Sequence, residues 1–295
     1  MNFIRNGQRI RRFARIIGAA WVLLTLSAAA QEGTGRTGWN LIWSDEFNGP
    51  NGSAVDSSKW IAQTGGNGFG NNELEYYTDR TKNAYQHDGN LVIKVIAENF
   101  TGPDGVTRNF TSARLKTQNK FAQKYGRFEA RIKIPYGQGI WPAFWMLGTD
   151  IGKRDWPQCG EIDIMENIGR EPGLVHGTLH GPGYSGDHGI GSAFELPNKS
   201  RFADDFHVYA IEWQRNTIRF YVDDHLYATR VPADLPKGAK WAYNHPFFLL
   251  LNVAVGGGWP GNPDSNSEFP QTMLVDYVRV YEPAKHNKTL SHQAP

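Results

Sequence analysis

Short runs in which apolar and polar side chains alternate recur along most of this chain, and a period of two marks a half-buried strand. Residues 91–96 form one such run and 125–134 a longer one. In the longer run Phe128, Ala130, Ile132 and Ile134 share one face, while Arg127, Glu129, Arg131 and Lys133 share the other. Residues 208–213, 217–222, 247–255 and 273–281 read as strands in the same way. Asn216 and the Asp223-Asp224-His225 stretch supply turn chemistry for short hairpins between them. No amphipathic helix longer than two turns stands out, and no internal repeat is visible. About a dozen short strands in one chain predict an all-β domain of two packed antiparallel sheets, a sandwich or jelly roll.

Residues 1–30 do not follow this pattern. Arg5, Arg9, Arg11, Arg12 and Arg15 precede an apolar stretch from Ile16 to Leu26, and Ala28, Ala29 and Ala30 close it ahead of Gln31. That order predicts a signal peptide cleaved near Gln31. The basic start fits a general secretory signal, and the Arg11-Arg12 pair also fits a twin-arginine one. The apolar stretch is shorter than the roughly 20 residues of a membrane span. Nothing later approaches that length, so a secreted mature protein with no membrane contact is expected. Residues 31–37 read as a polar linker, 38–283 as one folded domain and 284–295 as a polar tail.

Composition narrows the function. A formal net charge of +2 with 20% charged residues gives no reason to expect a nucleic acid or other polyanion as partner. Ten tryptophans are many for this length. Most must pack in the core, but a flat indole with one polar edge also suits the C–H face of a sugar ring. Cys159 is the only cysteine, so no disulfide can form within a monomer, the expected state. It precedes Glu161 by two positions without a partner to activate it, and it reads as a small buried residue.

The chemistry concentrates in Gly160-Glu161-Ile162-Asp163-Ile164-Met165-Glu166-Asn167. In a regular strand Glu161 and Asp163 share one face, and Glu166 falls on the other with Ile162 and Ile164. Three carboxylates among Ile, Ile and Met are costly to bury unless they face a cleft. One β-bulge between Asp163 and Glu166 shifts the register by one and brings all three acids to one side. Two carboxyls flanking a glycosidic bond at roughly 5–5.5 Å are what a retaining glycosidase needs, and a third between them keeps their pKa values apart. With no histidine in the stretch itself, acid/base chemistry is favoured over a catalytic metal, and no catalytic cofactor is expected.

This stretch resembles the signature of glycoside hydrolase family 16, in the longer, laminarinase-like form with an extra residue before the second glutamate. The resemblance runs from Trp39 to Tyr281. It includes Trp43-Ser44-Asp45-Glu46-Phe47, Asn71-Asn72-Glu73-Leu74-Glu75-Tyr76-Tyr77, Thr111-Ser112-Ala113-Arg114-Leu115-Lys116-Thr117, Trp141-Pro142-Ala143-Phe144-Trp145-Met146-Leu147 and Gly256-Gly257-Gly258-Trp259-Pro260-Gly261. It implies a jelly roll whose concave sheet carries the substrate cleft. It also implies Glu161 as nucleophile, Asp163 as its assisting carboxylate, Glu166 as acid/base, and a β-1,3-glucan as substrate. Mixed-linkage glucan, galactan and transglycosylation are rival specificities on this scaffold, and a glucan-binding protein without catalysis is a rival class. The intact Glu161 and Glu166 speak against the last.

Around the acids, Trp141 and Trp145 are four positions apart and share a strand face. The resemblance implies that at least one of them stacks on a glucose ring, and that Asn72 and Arg114 hydrogen-bond sugar hydroxyls. Trp259, in a glycine-rich loop, reads as a platform at the cleft edge. His180 reads as a contact to the leaving sugar or a support for Glu166, and Glu73 and Glu75 as structural or rim residues. The resemblance further implies a structural calcium on the convex side, with Glu46, Gly89 and Asp276 at the matching positions.

Overall fold

A computed structural model describes residues 36–284. The signal peptide, most of the linker and all but the first residue of the tail expected above lie outside the described residues. Among them seventeen strands and three short 3-10 turns occur, with no α-helix. The first strands are β1 (Trp39–Asp45), β2 (Ile61–Ala62), β3 (Glu75–Tyr77), β4 (Ala84–His87), β5 (Asn90–Thr101) and β6 (Thr107–Ser112). Next come β7 (Arg114–Lys116), β8 (Gly126–Lys133), β9 (Ile140–Gly148), β10 (Glu161–Glu166), β11 (Leu174–His180) and β12 (Ile190–Glu195). The last are β13 (His207–Gln214), β14 (Thr217–Val222), β15 (His225–Arg230), β16 (Phe247–Val255) and β17 (Gln271–Pro283).

Two sheets result. Seven strands in the order β12-β11-β10-β9-β16-β7-β2 make one, and ten make the other, in the order β15-β14-β13-β8-β17-β5-β6-β3 with β1 on β17 and β4 on β5. Every pair is antiparallel except β3 with β6. The expected runs fall on β5, β8, β13, β14, β16 and β17, within a few residues of the expected ends. The hairpin turns also stand: Asn216, Asp223 and Asp224 have φ of 60°, 48° and 63°, the left-handed region that tight turns require and that Asn and Asp tolerate.

The two sheets close on one continuous core. Phe128, Ala130 and Ile132 of β8, Ile211 and Trp213 of β13, Phe144 and Met146 of β9, and Ile162, Ile164 and Met165 of β10 are all buried in it. Alternation therefore reads correctly on the inner face. On the outer face of β8 it understates burial, because Arg127 is only 1% exposed and Glu129 5%. Arg127 Nε donates to Glu129 at 2.8 Å, and its other nitrogens reach Glu212 and Asp224. A guanidinium covered in this way is tolerated because its donors meet carboxylates on three sides.

Strand β16 is buried along its whole length, Phe247–Val255. One face enters the sandwich core. The other, with Phe248 and Leu250, joins Ala143, Trp145, Leu147 and Cys159 in a second apolar cluster on the opposite side of the seven-stranded sheet. That sheet has apolar material on both faces, which is the condition for keeping acids at low water exposure beside it.

Candidate active site

Side chains directly opposite one another across a ladder point to the same face. Three rows of partners therefore cross the seven-stranded sheet. Arg114, Asn252, Ala143, Glu166 and His176 form one, and Lys116, Leu250, Trp145, Asp163 and Thr178 the second. Phe248, Leu147, Glu161 and His180 form the third. The register in β10 slips by one against both neighbours between Asp163 and Glu166. The expected bulge is present, with Ile164 as the extra residue. Ile164 and Met165 both turn into the core, 1% and 0% exposed, and Glu166 returns to the side of Glu161 and Asp163.

The three acids line a cleft of about 600 Å³ together with Phe69, Asn71, Glu73, Arg114, Trp141, Trp145, Trp156 and Asn252. Indole nitrogens donate to the two outer acids. Trp141 Nε1 meets Glu166 Oε1 at 3.0 Å, and Trp156 Nε1 meets Glu161 Oε2 at 2.9 Å. His180 Nε2 stands 3.2 Å from Asp163 Oδ2 and 4.0 Å from Glu161 Oε1. Burial and repulsion among the acids set the electrostatics. Burial first, then the charge of Asp163, holds the Glu161 carboxyl well above the usual carboxylate range. Burial and the charge of Glu166 do the same to Asp163. Glu166 is pushed up to about 7 by burial and the charge of Glu161, against the opposing pull of His180 and the Trp141 hydrogen bond. Three charges cannot coexist in this space, so the group holds protons at neutral pH. Arg114 and His180 favour the charge on Glu161, and both donors to Glu161 and Glu166 are neutral.

The structure brings most of the expected residues together, with some reassignment. Trp141 is half-buried, and its ring meets Trp259 edge-on at 5.5 Å; Trp259 in turn meets His176 at 5.0 Å. Trp259 is 37% exposed, as its glycine-rich loop suggested. Trp145 differs. It is buried, its Nε1 donates to Asn252 Oδ1 at 2.7 Å, and the Arg114 guanidinium lies 4.6 Å over its ring, covering a face that a sugar would need. It forms part of the floor. Asn72 does not join the group: it is an exposed turn residue with φ 60°, and its neighbour Asn71 lines the cleft. His180 faces Asp163 and Glu161 instead of supporting Glu166 directly. The Cys159 thiol is buried and pushed up to about 11 by burial and by Asp150 and Glu161, which suits a packing residue.

The sequence reading did not single out the lining residues Phe69, Trp156 and Asn252, nor a role for His176 beside Glu166. Trp156 sits in a polar loop with no periodic signal, although it lies five positions before Glu161. His176 faces Glu166 only because of the bulge. Among the described residues, Glu161, Asp163 and His180 form the one cluster of acids and histidines with ligand atoms converging. At the expected calcium positions, Arg279 holds both oxygens of Glu46, at 3.0 and 2.7 Å, and Arg131 Nη1 holds Asp276 Oδ2 at 2.8 Å.

Residues 69–279 match the model of glycosyl hydrolases family 16. The chain belongs to this family. It is 42% identical over 276 residues to a β-glucanase of Rhodothermus marinus, covering 89% of this chain and 93% of that one. It is 38% identical over 257 residues to a glucan endo-1,3-beta-glucosidase of Cryptopygus antarcticus, covering 82% and 92%. Its fold is similar to that of the laminarinase catalytic domain from Thermotoga maritima, with a TM-score of 0.79 and 47% identity over 84% of this chain and 99% of that one. Family 16 membership agrees with the two-sheet fold and the acid strand.

The raised Glu166 carboxyl has a stability consequence. Held near 7 in the folded chain against the ordinary 4.5 of a glutamate carboxyl, it keeps its proton longer folded than unfolded. Its full contribution is present below pH 4.5 and is lost as the pH rises toward 7. Glu166→Gln keeps an acceptor for Trp141 but removes that charge, so it should stabilise the protein at pH 8, by on the order of 1–3 kcal/mol, and very little at pH 4.5. Thermal unfolding at both values checks this, and an equal shift at the two would refute it.

Proposed function

We propose that this chain is a retaining, endo-acting glycoside hydrolase that cleaves β-1,3-glucan of the laminarin type by double displacement. The observation that carries this reading is the bulge of β10, which lines one open cleft with Glu161, Asp163 and Glu166. Family membership and the likeness to a laminarinase domain and an endo-1,3-glucosidase supply the substrate class.

In the first step a Glu161 oxygen attacks the anomeric carbon as the bond to the leaving oxygen breaks, and Glu166 gives its proton to that oxygen. In the second a water attacks the same carbon, its proton passes to Glu166, and the bond to Glu161 breaks. A Glu166 carboxyl near 7 suits both directions of transfer at neutral pH. Asp163, between the two and almost fully buried, is paired with Glu161 by a hydrogen bond and fixes the position of that carboxyl. Trp141 beside Glu166, with the partly exposed Trp259 edge-on to it, offers ring surface to a sugar, and Arg114 and Asn71 offer donors to sugar hydroxyls. Export through residues 1–30 fits a polymeric substrate found outside the cell. No helix of the described residues is long and apolar enough to cross a membrane.

The calcium reading takes a narrower form. With Glu46 and Asp276 already matched to arginines, a cation there would depend on backbone carbonyls, such as that of Gly89, and on the remaining Asp276 oxygen. The role would be structural, with no part in the reaction.

Four measurements test these assignments. Glu161→Gln should lower hydrolysis by several orders of magnitude on every substrate, whereas Glu166→Ala should spare an activated aryl glycoside in the first step and recover turnover with azide. Proton NMR should show the first-formed sugar with the β configuration, and an α product at early times would rule out the glycosyl-enzyme. N-terminal sequencing of the exported protein should begin near Gln31; a start at Met1 would reject the signal peptide. Chelation should lower the melting temperature by a few degrees, restored by calcium, and an unchanged melting curve would remove the ion.

A further inference from the structure

Beside the acids, a second polar system, mostly buried, runs under the Arg114 end of the cleft, and of its members the reaction above uses only Asn71. It starts at Trp145, whose Nε1–H can only donate. Asn252 therefore presents Oδ1 to it, at 2.7 Å, and turns Nδ2 toward the hydroxyl of Tyr77, at 3.2 Å. Having accepted that bond, the Tyr77 hydroxyl donates to Glu73 Oε2 at 2.9 Å. The other oxygen, Glu73 Oε1, accepts from Asn71 Nδ2 at 3.0 Å. Tyr77, Glu73 and Asn252 are all buried, and Asn71 is exposed.

The bonds from Trp145 all run toward Glu73, which also accepts from Asn71 on its far side, so the chain converges on a group that only accepts. Reversing any link sets two donors or two acceptors face to face, so the chain has one arrangement. Its two ends carry different parts of the cleft. At one end is the floor, where Arg114 stacks at 4.6 Å on Trp145 and is held by Gln63 Oε1 at 3.0 Å. At the other is the wall, where Asn71 and Phe69 line the cleft; Phe69 packs edge-on against Tyr77 at 5.0 Å and lies 4.8 Å from the Arg114 guanidinium. Glu75, buried alongside, accepts the backbone N–H of Val255 at 2.6 Å. Burial and the charge of Glu73 hold its carboxyl well above the usual range.

Resting on the glucanase reading above, we propose that Glu73 is a positioning residue for substrate: through Tyr77 and Asn252 it fixes the Trp145 indole and the Arg114 guanidinium stacked on it, and through Asn71 it ties that floor to the cleft wall. It lies at the cleft lining but is only 3% exposed, and it acts through these partners and not on the reacting atoms. Its loss should therefore weaken glucan binding and leave the chemical step nearly intact.

Glu73→Gln and Tyr77→Phe, singly and together, test this. Each single variant should raise KM on laminarin about tenfold with kcat within about threefold of wild type. The double variant should be no worse in KM than the worse single one, because both act along one chain. Additive KM effects, or a lower melting temperature with KM unchanged, would overturn the proposal. Glu73→Gln keeps the size and part of the hydrogen bonding of the original, and it carries the test if Tyr77→Phe does not fold. A substrate-free readout separates this proposal from the function on which it rests. The Trp145 indole N–H resonance, assigned by its disappearance in Trp145→Phe, should shift in both variants. A resonance that stays in place overturns the positioning role even if laminarin is hydrolysed, whereas a wild-type chain inactive on laminarin while the resonance shifts overturns only the glucanase reading.

Discussion

The structure depends on one extra residue in an inner strand. Strand β10 must bury Ile162, Ile164 and Met165 in the sandwich and present Glu161, Asp163 and Glu166 to the cleft, and a regular strand with period two cannot do both. Placing Ile164 and Met165 consecutively on the core side resolves the conflict. Neighbouring strands impose the geometry: β9 contributes every second residue, Trp141, Ala143, Trp145 and Leu147, to the same face, and β11 contributes His176 and His180. Without the slip, Glu166 would face aliphatic side chains that offer it no donor, a position costing several kcal/mol for an ionised group.

The acids are tuned by what surrounds them more than by one another's partners. A second apolar cluster on the cleft side of the sheet keeps the floor dry and raises all three carboxyls. Indoles then return part of the lost solvation as single, fixed N–H donors, Trp156 to Glu161 and Trp141 to Glu166. A neutral donor stabilises a carboxylate without neutralising it, which leaves a nucleophile able to attack and an acid able to release its proton. Trp145, on the same strand face as Trp141, spends its donor on Asn252 instead and so belongs to the binding floor.

The ten-stranded sheet solves a different problem. Its outer face carries charged residues that are half or fully covered, and these are matched in pairs: Arg127 with Glu129, Glu212 and Asp224, Arg279 with Glu46, and Arg131 with Asp276. Such pairs add little net stability, but losing one partner leaves a charge unmatched. They also place cations where a calcium ion would otherwise find carboxylates.

Alternation along the chain was enough to fix the strand class, most strand positions and the inner faces, because burial of one sheet face is a local, periodic demand that each run of residues must meet alone. The acid strand was legible for the same reason: three carboxylates among aliphatics violate that demand unless a bulge and a cleft accompany them. The rest required the fold. Arg127 is covered by strands distant in sequence, so its burial has no local signature. Trp156, on a loop, reaches Glu161 through the path of the chain, and His176 reaches Glu166 through a register slip in another strand. The sequence placed Trp145 on the correct face, but only packing from β7 and β16 put Arg114 over one side of the ring and Asn252 at its edge. A residue's face follows from its own neighbours in sequence; what occupies that face is decided by side chains brought in from elsewhere, and a single sequence does not record those distances.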